Sequence, residues 1–445
     1  MQGPSPSSTL EKVISKVSDR TLVIAGFCII GLWYMIQVNP HPGFHDSLTY
    51  IFRAAEGFQW LTHATAHFLW LNLIHFQYEL FGESHHIIAN NLTSVAFGFL
   101  ALLLLYKLLR EYETPPLTAL GGIVALALSY TWMSQSMSLE AYAMSNVLFA
   151  AYFWLAFRDI KNQQRQYILP VAVLVGVGLL THIQHVLSLP FMLYYFLSGP
   201  VRATRRIMGF FILGAAFFIL AIPPLFMDAH PLMAIFFDFG FREEVLAYSP
   251  SVIAGGIARG GAYWVYNFTI FCPLILWAAY RMYHSEPQLL YYLLLLFLPY
   301  LLFAARYNIP DVYTYYLIPY IGMTFLVAHG IKYLRFPRKS LVILVFLCML
   351  FKPLFYYSVT QIAPYIPQLE QFGEPKSYKC GYDYYFWPGR ANAPDPLERA
   401  QYLYHEGSEE EICYAQHEWN LRRAWDYLYL HEQIGPVEEK LCDEE

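Results

Sequence analysis

Apolar runs of membrane-crossing length alternate with short polar connections from Thr21 to Tyr357. They fall at about Thr21–Val38, Asn90–Leu109, Leu117–Met137, Ala141–Phe157, Ile168–Leu180 and Val186–Leu197. The series goes on at Ile207–Phe226, Tyr263–Ala279, Leu289–Ala305, Tyr315–Ile331 and Leu341–Tyr357. The pattern predicts an all-α polytopic membrane protein of about eleven transmembrane helices. Thr181-His182-Ile183-Gln184-His185 interrupts the run from Ile168 to Leu197, whose second half is short. Two connections are long. The first, residues 39–89, carries apolar residues at roughly helical spacing between Phe58 and Phe81 and predicts amphipathic helices lying in the interface. The second, Met227–Ala262, contains Gly255, Gly256, Gly260 and Gly261 and reads as a mobile loop near a site.

Composition agrees with the pattern. The chain is 57% hydrophobic and 14% charged, against roughly 25% charged in soluble domains. Its net charge of −5 and the lack of a basic stripe exclude nucleic-acid binding. Positive charge sets the topology. With residues 1–20 cytoplasmic, the inner connections hold Lys107, Arg110, Arg158, Lys161, Arg165, Arg202, Arg205, Arg206, Arg281, Lys332, Arg335, Arg338 and Lys339. The outer ones hold only Arg53, Arg242, Arg259 and Arg306. Residues 1–20 are polar and no cleavable signal is evident.

Beyond the membrane module (21–359), residues 360–445 are acidic and Tyr-rich. Pro364, Pro367, Pro375 and Pro388 break regular structure, and Ser408-Glu409-Glu410-Glu411 reads as a capping box opening a helix to about Glu432. This small, mostly helical external domain is expected to cover the outer mouth of the membrane part. Cys380, Cys413 and Cys442 allow one disulfide with one thiol left over, and the sequence does not choose the pair.

Ionisable groups at a membrane boundary are functional candidates, because leaving them unpaired there is costly. Asp46 follows the first run, and Glu140 lies at the outer junction of the third and fourth. Both belong at the same depth, so both can line one cavity. Asp46 also fits a helix N-cap, the plainer structural role. Sugar transfer from a lipid phosphate needs a carboxylate to take the proton of the attacking hydroxyl, and cations or donors for the departing phosphate. Asp46 fits the base, and Arg306, with Arg242 or Arg259 in reserve, fits the phosphate partner. His182 and His185 interrupt an apolar run and can donate to a phosphate or a sugar hydroxyl. His45, His63 and His67 are further candidates in the first loop.

The order of these parts resembles the glycosyltransferase-C superfamily, which includes protein O-mannosyltransferases, aminoarabinose transferases and oligosaccharyltransferases. The finer resemblance is to the O-mannosyltransferase-like branch. It rests on Glu140-Ala141-Tyr142-Ala143, on Gly178-Leu179-Leu180-Thr181-His182 followed by Leu189-Pro190, and on Asn308-Ile309-Pro310-Asp311-Val312-Tyr313. It covers about Asp19 to Tyr320. The resemblance implies an inverting single displacement on a polyprenyl-phosphate-linked sugar at the outer membrane face, with Asp46 as base, Glu140 orienting the acceptor and Asp311 near the donor. The acceptor is a protein, lipid or glycan hydroxyl, and the expected location is a bacterial inner membrane with the site on the periplasmic side. The second loop has no Asp-x-Asp, so no tightly held metal is expected there; a loosely bound divalent cation fits Asp46 and Glu140.

Two other classes fit parts of the pattern. Histidines at His63/His67, His85/His86 and His182/His185 have spacings that can hold a metal, as in a membrane metalloenzyme, although no His-x-x-His-His box occurs. A small-molecule transporter would make the broken run from Ile168 to Leu197 a discontinuous helix. It would leave the long first loop unexplained. Asn91-Leu92-Thr93 and Asn267-Phe268-Thr269 match a glycosylation pattern but abut or enter spans, where no modifying enzyme reaches.

Overall fold

The computed structural model describes residues 17–435 apart from 45, 60–66, 228–248, 308–311, 374–380, 409–411 and 413–418; of 221–227 and 419–420 it describes the helical backbone alone. All eleven apolar runs lie on helices, and among the described residues there is no strand. Seven helical segments are long and apolar enough to cross a membrane, or eight if one bent pair is a single span. With the bent pair counted as one span, the difference from eleven is three runs, on the helix Ala141–Lys161 and the two shorter apolar helices after it. The latter two, Ile168–Thr181 and Ile183–Leu197, are short because the polar break at His182 divides what would otherwise be one long run.

In chain order, α1 (Asp19–Gln37) leads into two first-loop helices, α2 (Asp46–Glu56) and α3 (Phe68–Phe81), and then α4 (His86–Glu111). The bent pair follows as α5 (Pro116–Ala127) and α6 (Tyr130–Ser136). Next come α7 (Ala141–Lys161), α8 (Ile168–Thr181), a 3-10 turn at Ile183–Ser188, α9 (Leu189–Leu197) and α10 (Ala203–Met227). The bundle closes with α11 (Pro250–Phe268), α12 (Cys272–Ser285), α13 (Pro287–Arg306), α14 (Leu317–Leu334) and α15 (Arg338–Ile362). In the tail are α16 (Tyr382–Phe386), α17 (Pro396–Glu406) and α18 (Trp419–Leu430). The first amphipathic helix therefore begins well before Phe58, with Asp46 in its first turn.

α5 and α6 meet at 74°, a turn that frees backbone groups in an apolar setting where each must find a partner. Side chains from three other helices supply them. Tyr34 donates to the Ala127 carbonyl (2.5 Å), Tyr356 to that of Leu128 (3.1 Å) and Lys352 to that of Ala125 (3.2 Å), while Asn267 Oδ1 accepts from Thr131 N (2.8 Å). The break redirects the chain so that Gln135, Ser138 and Glu140 reach the end of the bundle near α2. Asn267 is 1% exposed and spent on this joint, which gives that acceptor-like Asn a structural role.

The glycines of the second loop are helical, contrary to the expected mobile loop: Gly255, Gly256, Gly260 and Gly261 all lie within α11. The physical reason is packing. A Cβ on Gly256 would lie 1.5 Å from the Ala305 carbonyl oxygen, and one on Gly260 would lie 2.5 Å from the Tyr316 hydroxyl. Small residues here let α11 close directly on its neighbours. The mobility expected for 228–248, and the site candidate Arg242 within it, lie outside the described residues, as do His45, His63, Asp311 and the three tail cysteines.

The tail is docked. Leu48, Ile51, Trp70 and Ile74 of the first loop form one buried cluster with Leu403, Leu421, Trp425 and Leu428 of α17 and α18. Polar links run beside it, His41 Nδ1 to Asp395 Oδ2 at 3.0 Å and His431 Nδ1 to Glu83 Oε2 at 3.1 Å.

Candidate active site

Three short connections fix the site. The Asn91 amide nitrogen donates to the carbonyls of Asn39 (2.8 Å) and His41 (3.0 Å), holding the start of the first loop against α4. Asn39 N donates to the Met137 carbonyl at 3.0 Å, tying that loop to the segment after α6. Eight residues on, the Ser47 hydroxyl lies 2.8 Å from the Leu139 carbonyl and 3.0 Å from Glu140 Oε1. Asp46, next to Ser47, and Glu140 consequently line one pocket. Its other walls include Gln135, Ser138, Tyr142, Tyr313 and Thr314 and, from the tail, Tyr384 and Arg390.

The surroundings of each group set its chemistry. Burial pushes the Asp46 carboxyl above the ordinary carboxylate range, opposed by a hydrogen bond from Tyr50. Tyr384, buried over the same pocket, is pushed up to about 12 by its burial. Its hydroxyl accepts from Phe44 N at 3.3 Å, and its ring meets Phe44 edge-on at 5.3 Å.

Beside the pocket stands a stack of rings. His182 lies 5.0 Å from the pocket-lining Tyr142 and 4.6 Å from His67, and His67 lies 5.9 Å from Tyr50. His67 has a left-handed backbone, φ 49°, uncommon for a side chain of its size. Its Nδ1–H donates to the Thr181 carbonyl at 3.1 Å, and burial lowers the imidazole to about 4, so the ring is neutral near pH 7. His182 Nδ1 accepts from Gln184 N at 3.2 Å, which places the ring proton on Nε2 as a donor.

A family model described as dolichyl-phosphate-mannose-protein mannosyltransferase matches residues 67–227. No curated protein sequence matches the chain. Among solved structures, ArnT from Cupriavidus metallidurans in the apo state superposes with a TM-score of 0.53 at 14% identity, over 92% of this chain and 72% of that one. The same protein bound to undecaprenyl phosphate gives a TM-score of 0.56 at 14% identity, over 92% and 74%. This chain has the glycosyltransferase-C fold.

On that glycosyltransferase-C scaffold the remaining sequence candidates fall into two groups. Arg259 on α11 and Arg306 at the end of α13 sit on adjacent helices, Arg259 Nη2 donating to the Tyr307 carbonyl at 3.4 Å. Neither lines the pocket itself: Arg259 lies midway along α11 and Arg306 closes α13. His185 is fully enclosed, with Ser145 at 2.9 Å from Nε2 and Tyr152 at 3.3 Å from Nδ1. A Cβ on Gly178 would come within 2.8 Å of its ring. The Gly-x-x-x-His spacing thus ends in His182 at the site and seats His185 against the α8 glycine. Among the described residues, no group of three His, Cys, Asp or Glu side chains comes together as a metal-binding set.

Sequence reading missed Tyr384 and Arg390. Arg390 is 3% exposed, yet it stands in a Pro-broken acidic tail that offers no helical pattern from which to place it. The signal was present in Trp387-Pro388-Gly389-Arg390, a cation next to an aromatic run where the rest of the tail is acidic.

Proposed function

We propose that this protein transfers a sugar from a polyprenyl-phosphate-linked donor to an acceptor hydroxyl, with inversion, at the outer (periplasmic) face of a bacterial inner membrane. The observation that carries the reading is the meeting of Asp46 and Glu140 in one pocket of a glycosyltransferase-C fold. Asp46 takes the proton as the acceptor oxygen attacks the anomeric carbon. The bond from that carbon to the phosphate oxygen breaks, and its electron pair leaves with the polyprenyl phosphate. A carboxyl raised by burial is a stronger base, once ionised, than an ordinary carboxylate.

Glu140, steadied by Ser47, orients the acceptor hydroxyl. The His182 Nε2–H donates to the donor sugar or its phosphate. Arg259 and Arg306, outside the pocket, draw in the anionic headgroup as the polyprenyl chain enters sideways from the bilayer. Support for the lipid comes from ArnT, whose solved structure holds undecaprenyl phosphate. Mannose is the first sugar to try, given the description of the family model over residues 67–227.

The experiment is direct. Purified protein in detergent is offered a panel of polyprenyl-phosphate sugars with hydroxyl acceptors, and free polyprenyl phosphate is counted, beside Asp46→Asn. Release that requires Asp46 establishes the reaction and names the donor. A variant as active as wild type removes Asp46 from the role of base.

A further inference from the structure

Arg390 holds a full positive charge in the pocket of Asp46 and Glu140, and its immediate partners are neutral. Its Nη1 donates to the Tyr384 carbonyl at 2.7 Å, its guanidinium lies 4.5 Å from the centre of the Tyr384 ring, and it hydrogen-bonds the Tyr130 hydroxyl. A guanidinium offers five donors in a rigid fork. Arg390 is 3% exposed and lines the pocket beside Asp46 and Glu140. A buried cation without a direct counter-charge is costly, and an entering anion relieves that cost.

We propose that Arg390, delivered by the C-terminal tail, binds the phosphate of the lipid donor inside the pocket and stabilises it as it departs. This rests on the lipid-phosphate reading above and assigns the phosphate a partner that Arg259 and Arg306, outside the pocket, do not supply. The guanidinium fork suits two phosphate oxygens, and the contact strengthens as the leaving oxygen gains charge. The backbone is built to hold it there: Arg390 N donates to the Gln37 carbonyl at 2.9 Å at the end of α1. Gly389 fits a spot where a Cβ would lie 1.9 Å from Gln37 Oε1. The tail segment is therefore a wall of the active site and not only its cover.

The test uses the full chain in detergent, with undecaprenyl phosphate and uncharged undecaprenol as probes. Binding is measured for wild type, Arg390→Gln and Arg390→Lys, and hydrogen exchange over residues 381–395 reports whether the tail stays docked. Wild type should bind the phosphate far more tightly than the alcohol; equal binding of the two would refute the lipid-phosphate reading itself. With that preference established, Arg390→Gln should lose about ten- to a hundredfold in phosphate affinity, the usual cost of a charged hydrogen-bond donor. Its alcohol binding and its exchange pattern should not change. Arg390→Lys should recover part of the loss. Unchanged phosphate affinity in Arg390→Gln, or a tail released in both variants, would make Arg390 an anchor and overturn the proposal.

Discussion

The Ser47 hydroxyl stands 3.0 Å from Glu140 Oε1 and 2.8 Å from the Leu139 carbonyl, joining residues 93 positions apart. Through this joint the first-loop acid and the second acid keep one relative position, since Asp46 and Ser47 share the first turn of α2. Ser47→Ala should reduce turnover about tenfold while shifting thermal unfolding only slightly, because one hydrogen bond contributes net about 1 kcal/mol. Initial rates of polyprenyl phosphate release, set beside a melting curve in the same detergent, check it. An unaltered rate would mean that Glu140 does not need its position held.

Asp46→Asn should abolish most turnover, a loss on the order of a hundred- to ten-thousandfold for a general base. The pH profile of the wild type carries a separate prediction. A base must be ionised, and Asp46 is raised by burial, so the acid limb of the rate should fall above the ordinary aspartate value of about 3.9. The stability sign runs the other way. A raised carboxyl costs folded-state stability as pH climbs from its unfolded value through its folded one. The neutral Asn should therefore melt at the same temperature as wild type or higher at pH 7. A variant that is inactive and clearly destabilised would point to a structural role for Asp46.

His67 predicts a pH effect of its own. Burial lowers it to about 4, against about 6.5 in the unfolded chain. Between those values the unfolded state binds more protons, so this imidazole contributes stability above about pH 6.5 that is lost as pH falls toward 4. His67→Gln should flatten that part of the melting-temperature profile and leave the region above pH 7 level. The same slope in both proteins would show that His67 titrates normally in the folded state.

Much of this was legible because it depends on composition and period. Long apolar runs, their polar breaks and the acids beside them place Asp46 and Glu140 at the same end of the bundle, and the pocket brings them together. The span count was less legible, since His182 splits a run by polarity while leaving both halves helical. The glycines of α11 misled for a physical reason: the residue that frees a loop also lets helices touch, and only the neighbour tells which applies. Arg390 was hidden differently. Its burial follows from contacts with Gln37, Tyr130 and Tyr384, none of them near it in sequence except the last.

Gly256 and Gly255 separate these two uses of glycine experimentally. A methyl group at Gly256 would meet the Ala305 carbonyl oxygen at 1.5 Å, whereas one at Gly255 would meet no atom within 4 Å. Gly256→Ala must push α11 off α13, at a cost of roughly 1–3 kcal/mol for overpacking. Because Arg259 and Arg306 ride on those two helices, the variant should also raise the KM for the lipid donor more than it lowers kcat. Gly255→Ala, gaining helix propensity at an open position, should melt at or slightly above the wild-type temperature. Melting curves and donor titrations on the pair decide it. Equal melting temperatures for the two variants would mean that α11 and α13 do not pack at Gly256, and a lowered melting temperature with unaltered donor KM would separate that packing from donor entry.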